Sequence, residues 1–222
     1  MNRREILTET QKAVLQMFAA QEDLTNTYVL SGGTALAAFH LQHRRSDDLD
    51  FFSIEPVDAL RVRRFAEDVR KHLGASTLET HRLYDRHIFL CSARAEEILK
   101  MEFTQYPYQH LEVSHVHDGV RVESLRDIGA DKLAALLDRF EPKDYYDLYV
   151  LLQQKRTTLE QLRKDVLEKF HVKADAVQLG AAFARSRQLP ILPHMLDPVT
   201  KEQVQQFFDQ LAKSLRSEVG EE

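Results

Sequence analysis

The chain has 222 residues, 43% of them hydrophobic, enough to bury one sizeable core with a helical extension packed on it, and its composition does not suggest disorder. A formal net charge of −5 argues against nucleic-acid binding over the whole surface and leaves room for a local basic patch only. The single cysteine, Cys91, excludes an intramolecular disulfide and a multi-cysteine zinc site, and it suits a reducing compartment.

The start, MNRREILTETQKAV, is too polar for a signal peptide, and no run of about 18 apolar residues occurs, so a soluble cytoplasmic protein without a membrane partner is expected. Apolar spacing then predicts an amphipathic helix over 8–21, a strand at TYVLS, a helix from Thr34, a strand at LDFFS and a basic helix over 58–73. STLETHRLY, HIFLCSA and ILKMEFTQ are β-rich segments of strand length, and HDGV near 117–120 carries an Asp-Gly turn between two short strands. From Ser124 onward the pattern is helical, with starts marked by SLRD, by Pro142 and by the capping-box sequence TKEQ at Thr200. The expected organisation is an α/β portion over 1–123 followed by a helical portion over 124–222.

Gly32 and Gly33 stand where the second element meets the third. Glycines at a strand-to-helix turn permit positive φ and let backbone N–H groups approach a ligand, and the helix dipole adds to the attraction for phosphate. An ordinary tight turn capped by Thr34 has the same sequence. The context that separates the two is DDLDFF: in a strand Asp48 and Asp50 share one face while Leu49 and Phe51 share the other. Two such carboxylates repel, and a hard cation such as Mg²⁺ is a natural partner. Pairing of an exposed strand end with Arg44 and Arg45 is the structural alternative.

Glu102 repeats the setting in ILKMEFTQ, where Leu99, Met101 and Phe103 form the opposite face. If that strand neighbours LDFFS, three carboxylates converge, and such a cluster can hold two divalent ions about 3.5–4 Å apart for displacement at phosphorus. Pairing of Glu102 with Lys100 on its own face is the plainer reading.

Gly32-Gly33-Thr34, a thirteen-residue spacer, Asp48-Leu49-Asp50-Phe51 and Met101-Glu102-Phe103 resemble the nucleotidyltransferase superfamily related to DNA polymerase β. More closely, LSGGTAL, RRSDDLDFF and DIGADKLAALLDRFEPKDYYDLYVL resemble the AbiEii/AbiGii toxin family of bacterial abortive-infection and toxin–antitoxin systems, over roughly residues 5–155. The resemblance implies an α+β nucleotidyltransferase core with a mixed sheet, a helical C-terminal region completing the cleft, and Mg²⁺-dependent use of a nucleoside triphosphate. It also implies an antitoxin as protein partner and an RNA acceptor, tRNA ends in particular. On it, Gly32, Gly33 and the hydroxyl of Thr34 or Ser46 hold the β- and γ-phosphates. Asp48 and Asp50 bind Mg²⁺, and Glu102 serves the second ion or the acceptor's proton.

In the second half, helix 125–140 lines up Leu125, Ile128, Leu133, Leu136, Leu137 and Phe140, with Lys132 on the apolar side. A core-facing lysine needs water or an anion at its amine, and a triphosphate would serve. Lys132→Met is therefore expected to stabilise the nucleotide-free protein. Asp144 falls among Leu148, Leu151 and Leu152, where it either orients Lys132 or reads the base or acceptor; the resemblance assigns function to both Lys132 and Asp144. Asp127 has the spacing of a cap on Ser124, and Asp147 that of a surface pair with Lys143. His115 and His117 lack an evident third metal ligand, the arginines of 61–71 read as a solvated helix face, and Cys91 reads as a buried strand cysteine. Two other functions fit the same residues: adenylylation of a small molecule, as in the antibiotic-modifying branch, and a non-catalytic nucleotide-binding module acting through a protein partner.

Overall fold

A computed structural model describes residues 6–94, 97–192 and 194–219, and its chain contacts divide into two compact units. The first holds residues up to Gln109 with Val113–Ser124; the second holds His110–Glu112 and the chain from Leu125.

The first unit opens with α1 (Glu9–Ala19), which Thr8 and Gln11 cap reciprocally, and a short α2 (Glu22–Thr27), an element not among those expected from the apolar spacing. Strand β1 (Val29–Ser31) runs directly into α3 (Gly32–Ala35), so the helix begins at the first glycine and not at Thr34 as expected. Beyond Ala35 it widens into a π-helical turn over Leu36–Leu41 that ends with Gln42 in a left-handed conformation. Then come β2 (Asp48–Ser53), α4 (Ala59–His72), β3 (Thr77–Leu83), β4 (Arg86–Arg94), β5 (Glu97–Gln105), β6 (His115–His117) and β7 (Val120–Val122). Asp118 and Gly119, both at positive φ, make the turn foreseen in HDGV.

Among the described residues these strands form one mixed sheet in the order β3-β4-β5-β2-β1-β7-β6. β2 lies inside it, antiparallel to β1 and parallel to β5. The alternation of DLDFFS sets its two faces: Leu49, Phe51 and Ser53 are buried, while Asp48, Asp50 and Phe52 are partly open. On the buried face Phe51 stacks between Phe18 of α1 and Phe103 of β5, with centroids 4.4 and 4.9 Å away. Phe65 of α4 meets both Phe18 and Phe103 edge-on. This aromatic core fixes β2 against β5 and turns the acidic residues of both strands to the other side.

The second unit is helical: α5 (Leu125–Asp138), α6 (Pro142–Gln153), α7 (Leu159–Phe170), α8 (Ala176–Ala184), α9 (Lys201–Ser214) and α10 (Arg216–Val219). Pro142 starts α6, and Thr200 with Gln203 forms the capping box of α9. Tyr145 of α6 gives its hydroxyl to the carbonyl of Ala182 at 2.8 Å, and its ring meets Phe208 of α9 edge-on at 5.3 Å. Among the described residues no helix is long and apolar enough to cross a membrane.

Candidate active site

The register between β2 and β5 brings the three carboxylates together. Asp50 stands opposite Glu102 and Asp48 opposite Lys100 on parallel neighbouring strands, so Asp48, Asp50 and Glu102 occupy adjacent places on one sheet face. Lys100 lies between two of the acids, with Nζ 3.2 Å from Asp48 Oδ2 and 3.2 Å from Glu102 Oε2. From β4, Arg86 forks Glu102: Nε donates to Oε1 at 2.5 Å and Nη2 to Oε2 at 2.8 Å. Thr104 adds a hydroxyl to Oε1 at 3.0 Å.

The charges set one another's titration. Burial pushes the Glu102 carboxyl up, but the Arg86 fork, the Lys100 ammonium and the Thr104 hydroxyl outweigh it and hold the group below the usual carboxylate range. Burial likewise pushes Lys100 down, and the charges of Asp48, Asp50 and Glu102 overcome it and raise the amine. Arg86 is raised chiefly by its bonds to Glu102. Both cations and Glu102 are therefore ionised at neutral pH, with Lys100 and Arg86 acting as counter-ions of an acidic cluster.

The glycines abut this cluster. Gly32 has φ +70°, and a Cβ there would run into the carboxylate of Asp50. A Cβ on Gly33 would lie 2.5 Å from a terminal nitrogen of Arg44 and 3.0 Å from Ser46 Oγ. The two glycines thus serve different purposes: the first admits Asp50, the second a guanidinium and a hydroxyl. Thr34, fully buried, donates its hydroxyl to the carbonyl of Asp48 and so ties the turn to β2. The carbonyl of Ser46 is held by Gln11 of α1 at 2.7 Å. Behind β1, Ser31 donates its hydroxyl to the buried Glu123.

The donor chemistry suits a hard divalent cation: oxygen ligands only, from three carboxylates at neighbouring positions on one face, with the ammonium of Lys100 standing as the positive charge between two of them. Several features lay beyond the sequence reading. Lys100 pairs with Glu102 as the plainer alternative had it, but it also reaches Asp48 across the strands, a contact that depends on the parallel register. Arg86 is signalled only by its alternation with Ile88 on β4. Arg44, weighed as a surface partner of the aspartates, is buried against the Gly33 turn.

In the helical unit Lys132 is bracketed by carboxylates, with Nζ 2.6 Å from Asp144 Oδ1 and 2.7 Å from Asp147 Oδ2. Arg139 reaches the other oxygen of Asp144 at 3.4 Å. Asp147 is buried, not paired at the surface as its spacing to Lys143 suggested. The expectation that Lys132→Met would stabilise the protein is corrected, because the substitution strands two buried acids. Asp127 accepts the backbone N–H groups of Leu111 and Glu112 at 2.8 and 3.1 Å and pairs with Lys169 at 3.0 Å, a larger task than a helix cap.

His115 is exposed, while His117 meets the ring of Phe39 at 5.0 Å. Arg61, Arg70 and Lys71 of α4 have acidic neighbours in Asp58, Glu67 and Asp68, in keeping with a solvated face. Cys91 is a buried free thiol, pushed up by burial.

Comparison with known proteins identifies the family and the fold. The family described as "Nucleotidyl transferase AbiEii toxin, Type IV TA system" matches residues 13–219. An uncharacterized protein of Aquifex aeolicus is 30% identical over 151 residues, spanning 66% of this chain and 68% of that one. Two solved structures from Helicobacter pylori share the fold at 18% identity. One, solved as a candidate nucleotidyltransferase, aligns with a TM-score of 0.62 over 95% of this chain and 98% of its own. The other, JHP933, aligns with a TM-score of 0.60 over 96% and 93%.

Proposed function

Because the chain belongs to the AbiEii family of nucleotidyltransferase toxins of type IV toxin–antitoxin systems, and is an enzyme of that class, we propose that it moves a nucleoside monophosphate from a nucleoside triphosphate to a hydroxyl of an RNA acceptor, tRNA in particular, with Mg²⁺. The observation that carries this reading is the β2–β5 register, which sets Asp50 beside Glu102 and Asp48 beside Lys100 at the foot of the Gly32–Gly33 turn.

On this reading the β- and γ-phosphates lie along the turn, cradled by its backbone, by Ser46 Oγ and by the Arg44 guanidinium, while the Thr34 hydroxyl serves the turn itself. Asp48, Asp50 and Glu102 would hold the ions, two in number. Bound there, divalent ions supply Lewis-acid stabilisation of the phosphoryl oxygens and favour ionisation of the acceptor hydroxyl. The acceptor oxygen forms a bond to the α-phosphorus as the bond to the bridging oxygen breaks. Pyrophosphate leaves with that electron pair, and the hydroxyl proton passes to water. Glu102 is kept ionised by Arg86 and Lys100, which makes it a weak base and suits it to ligand duty. Its oxygens already face Arg86, Thr104 and Lys100, so Lys100 is the partner that must yield when a metal binds. For Lys132 and Asp144 the family resemblance alone supports a part in handling the triphosphate; within the helical unit the aspartate holds the lysine's amine. An antitoxin is the expected protein partner.

The test is incubation of the protein with each labelled nucleoside triphosphate and total RNA over a Mg²⁺ series. Label should enter RNA only with the metal. Asp50→Ala, with its fold retained by circular dichroism, should lose several kcal/mol of transition-state stabilisation, on the order of a thousand-fold in rate. Undiminished transfer by that variant would end the proposal.

A further inference from the structure

Phe52 occupies an unusual place. It follows Asp50 by two residues, so it shares the acidic face of β2, and it is partly open to solvent where its neighbour Phe51 is wholly buried. It is not alone there. Tyr106, just past the end of β5, donates its backbone N–H to the carbonyl of Ser53 at 2.6 Å, and its ring lies 4.7 Å from that of Phe52. Tyr108 continues the row, 4.9 Å from Tyr106 and turned nearly edge-on, with 37% of its surface exposed. Across the strands Phe52 stands opposite Thr104, and Thr104 opposite Arg86, one row beyond Asp50, Glu102 and Ile88. A row of aromatic rings, with a half-exposed arginine two strands away in the same row whose guanidinium forks Glu102, is the composition of a seat for an unpaired nucleobase and its phosphate.

We propose that Phe52, Tyr106 and Tyr108 hold the base of the acceptor RNA's terminal nucleotide, with Arg86 toward its backbone; this rests on the nucleotidyl transfer proposed above. Direction along β2 separates acceptor from donor. The Gly32–Gly33 turn lies toward the Asp48 end, tied there by Thr34 and Ser46, whereas Phe52 lies past Asp50 in the opposite direction. In an in-line displacement the attacking oxygen and the leaving pyrophosphate occupy opposite sides of the phosphorus. With pyrophosphate departing along the glycine turn, the acceptor hydroxyl arrives from the side of the rings. A terminal base stacked there is read by its π-face, which accepts any base and requires that it be unpaired.

The test is equilibrium binding to the full chain of a fluorescein-labelled single-stranded RNA heptamer, alongside the same heptamer made abasic at its 3′-terminal nucleotide. Wild type should bind the intact RNA about five- to a hundred-fold more tightly than the abasic one. Phe52→Leu/Tyr106→Leu, which keeps apolar side chains and removes the rings, should bind both at the abasic level, Tyr106→Trp in place of Tyr106→Leu should restore the preference, and affinity for a non-hydrolysable triphosphate should be unchanged. Equal binding of the two RNAs by wild type, or an undiminished preference in the double variant, would overturn the seat. Because binding is read without turnover, the two proposals fail separately: RNA labelling without base preference removes the seat alone, and base preference without labelling removes the transfer alone.

Discussion

The sheet unit and the helical unit both gather charge away from bulk water, and they do it in opposite ways. On the sheet, three carboxylates face Lys100 and Arg86 in a cluster that stays partly open: 36% of the Asp48 side chain and 44% of that of Arg86 remain accessible. In the helices, Lys132 is closed between Asp144 and Asp147, and Lys169, wholly buried, between Asp127 and Asp131. An open cluster can exchange one counter-ion for another at low cost, since water covers the difference. A closed one cannot, because each partner removed leaves a desolvated charge. The sheet cluster therefore has the character of a site that trades cations. The Lys132 cluster has the character of a brace between α5 and α6.

Substitutions can break or sharpen that contrast. The largest effect is expected for Lys132→Met, which should destabilise the protein by about 3–5 kcal/mol in urea unfolding, the range for breaking a buried pair. A loss below about 1 kcal/mol would show that the helical cluster is no brace. Gly32→Ala comes next, at about 1–3 kcal/mol, because it combines a left-handed φ with a collision against Asp50. Gly74→Ala is its control, since that glycine shares the positive φ, at +62°, but a Cβ there meets nothing within 4 Å. The difference between the two isolates the approach of Asp50. Lys100→Met should cost least, about 1 kcal/mol or less, since water can take over the partly exposed Asp48, and Arg86 and Thr104 still hold the buried Glu102. It should also lower the Mg²⁺ concentration needed for half-maximal transfer, because the ammonium no longer competes for Asp48 and Glu102. A stability loss as large as that of Lys132→Met would erase the distinction between open and closed.

What could be read from the sequence followed what is periodic. The two faces of DLDFFS, the acid in KMEF, the Asp-Gly turn and the starts at Pro142 and Thr200 all come from local rules, and the structure has them. That Glu102 neighbours Asp50 depends on β5 pairing with β2, strands separated by a helix and a hairpin, and no local signal sets strand order. The counter-ions stayed hidden for the same reason. Arg86 belongs to Glu102 only through the antiparallel register of β4 on β5, and Asp147 belongs to Lys132 only once α6 lies on α5. Phe52 was passed over because a phenylalanine beside another in a strand reads as core. Its face becomes plain once the buried one is seen filled by Phe51, Phe18 and Phe103.

The interior position of β2 bears on how the protein breathes. Over residues 50–52 the strand is paired on both edges, by β1 on one side and β5 on the other, so that stretch opens to solvent only when two ladders part together. Backbone amides of residues 50–52 should therefore be among the last of this unit to take up deuterium, while those of β3, at the rim of the sheet, exchange early. The carboxylates ride on a part of the chain that does not fray. Entry and exit at the cluster are left to rotation of side chains such as the half-buried Lys100, which needs no parting of the strands.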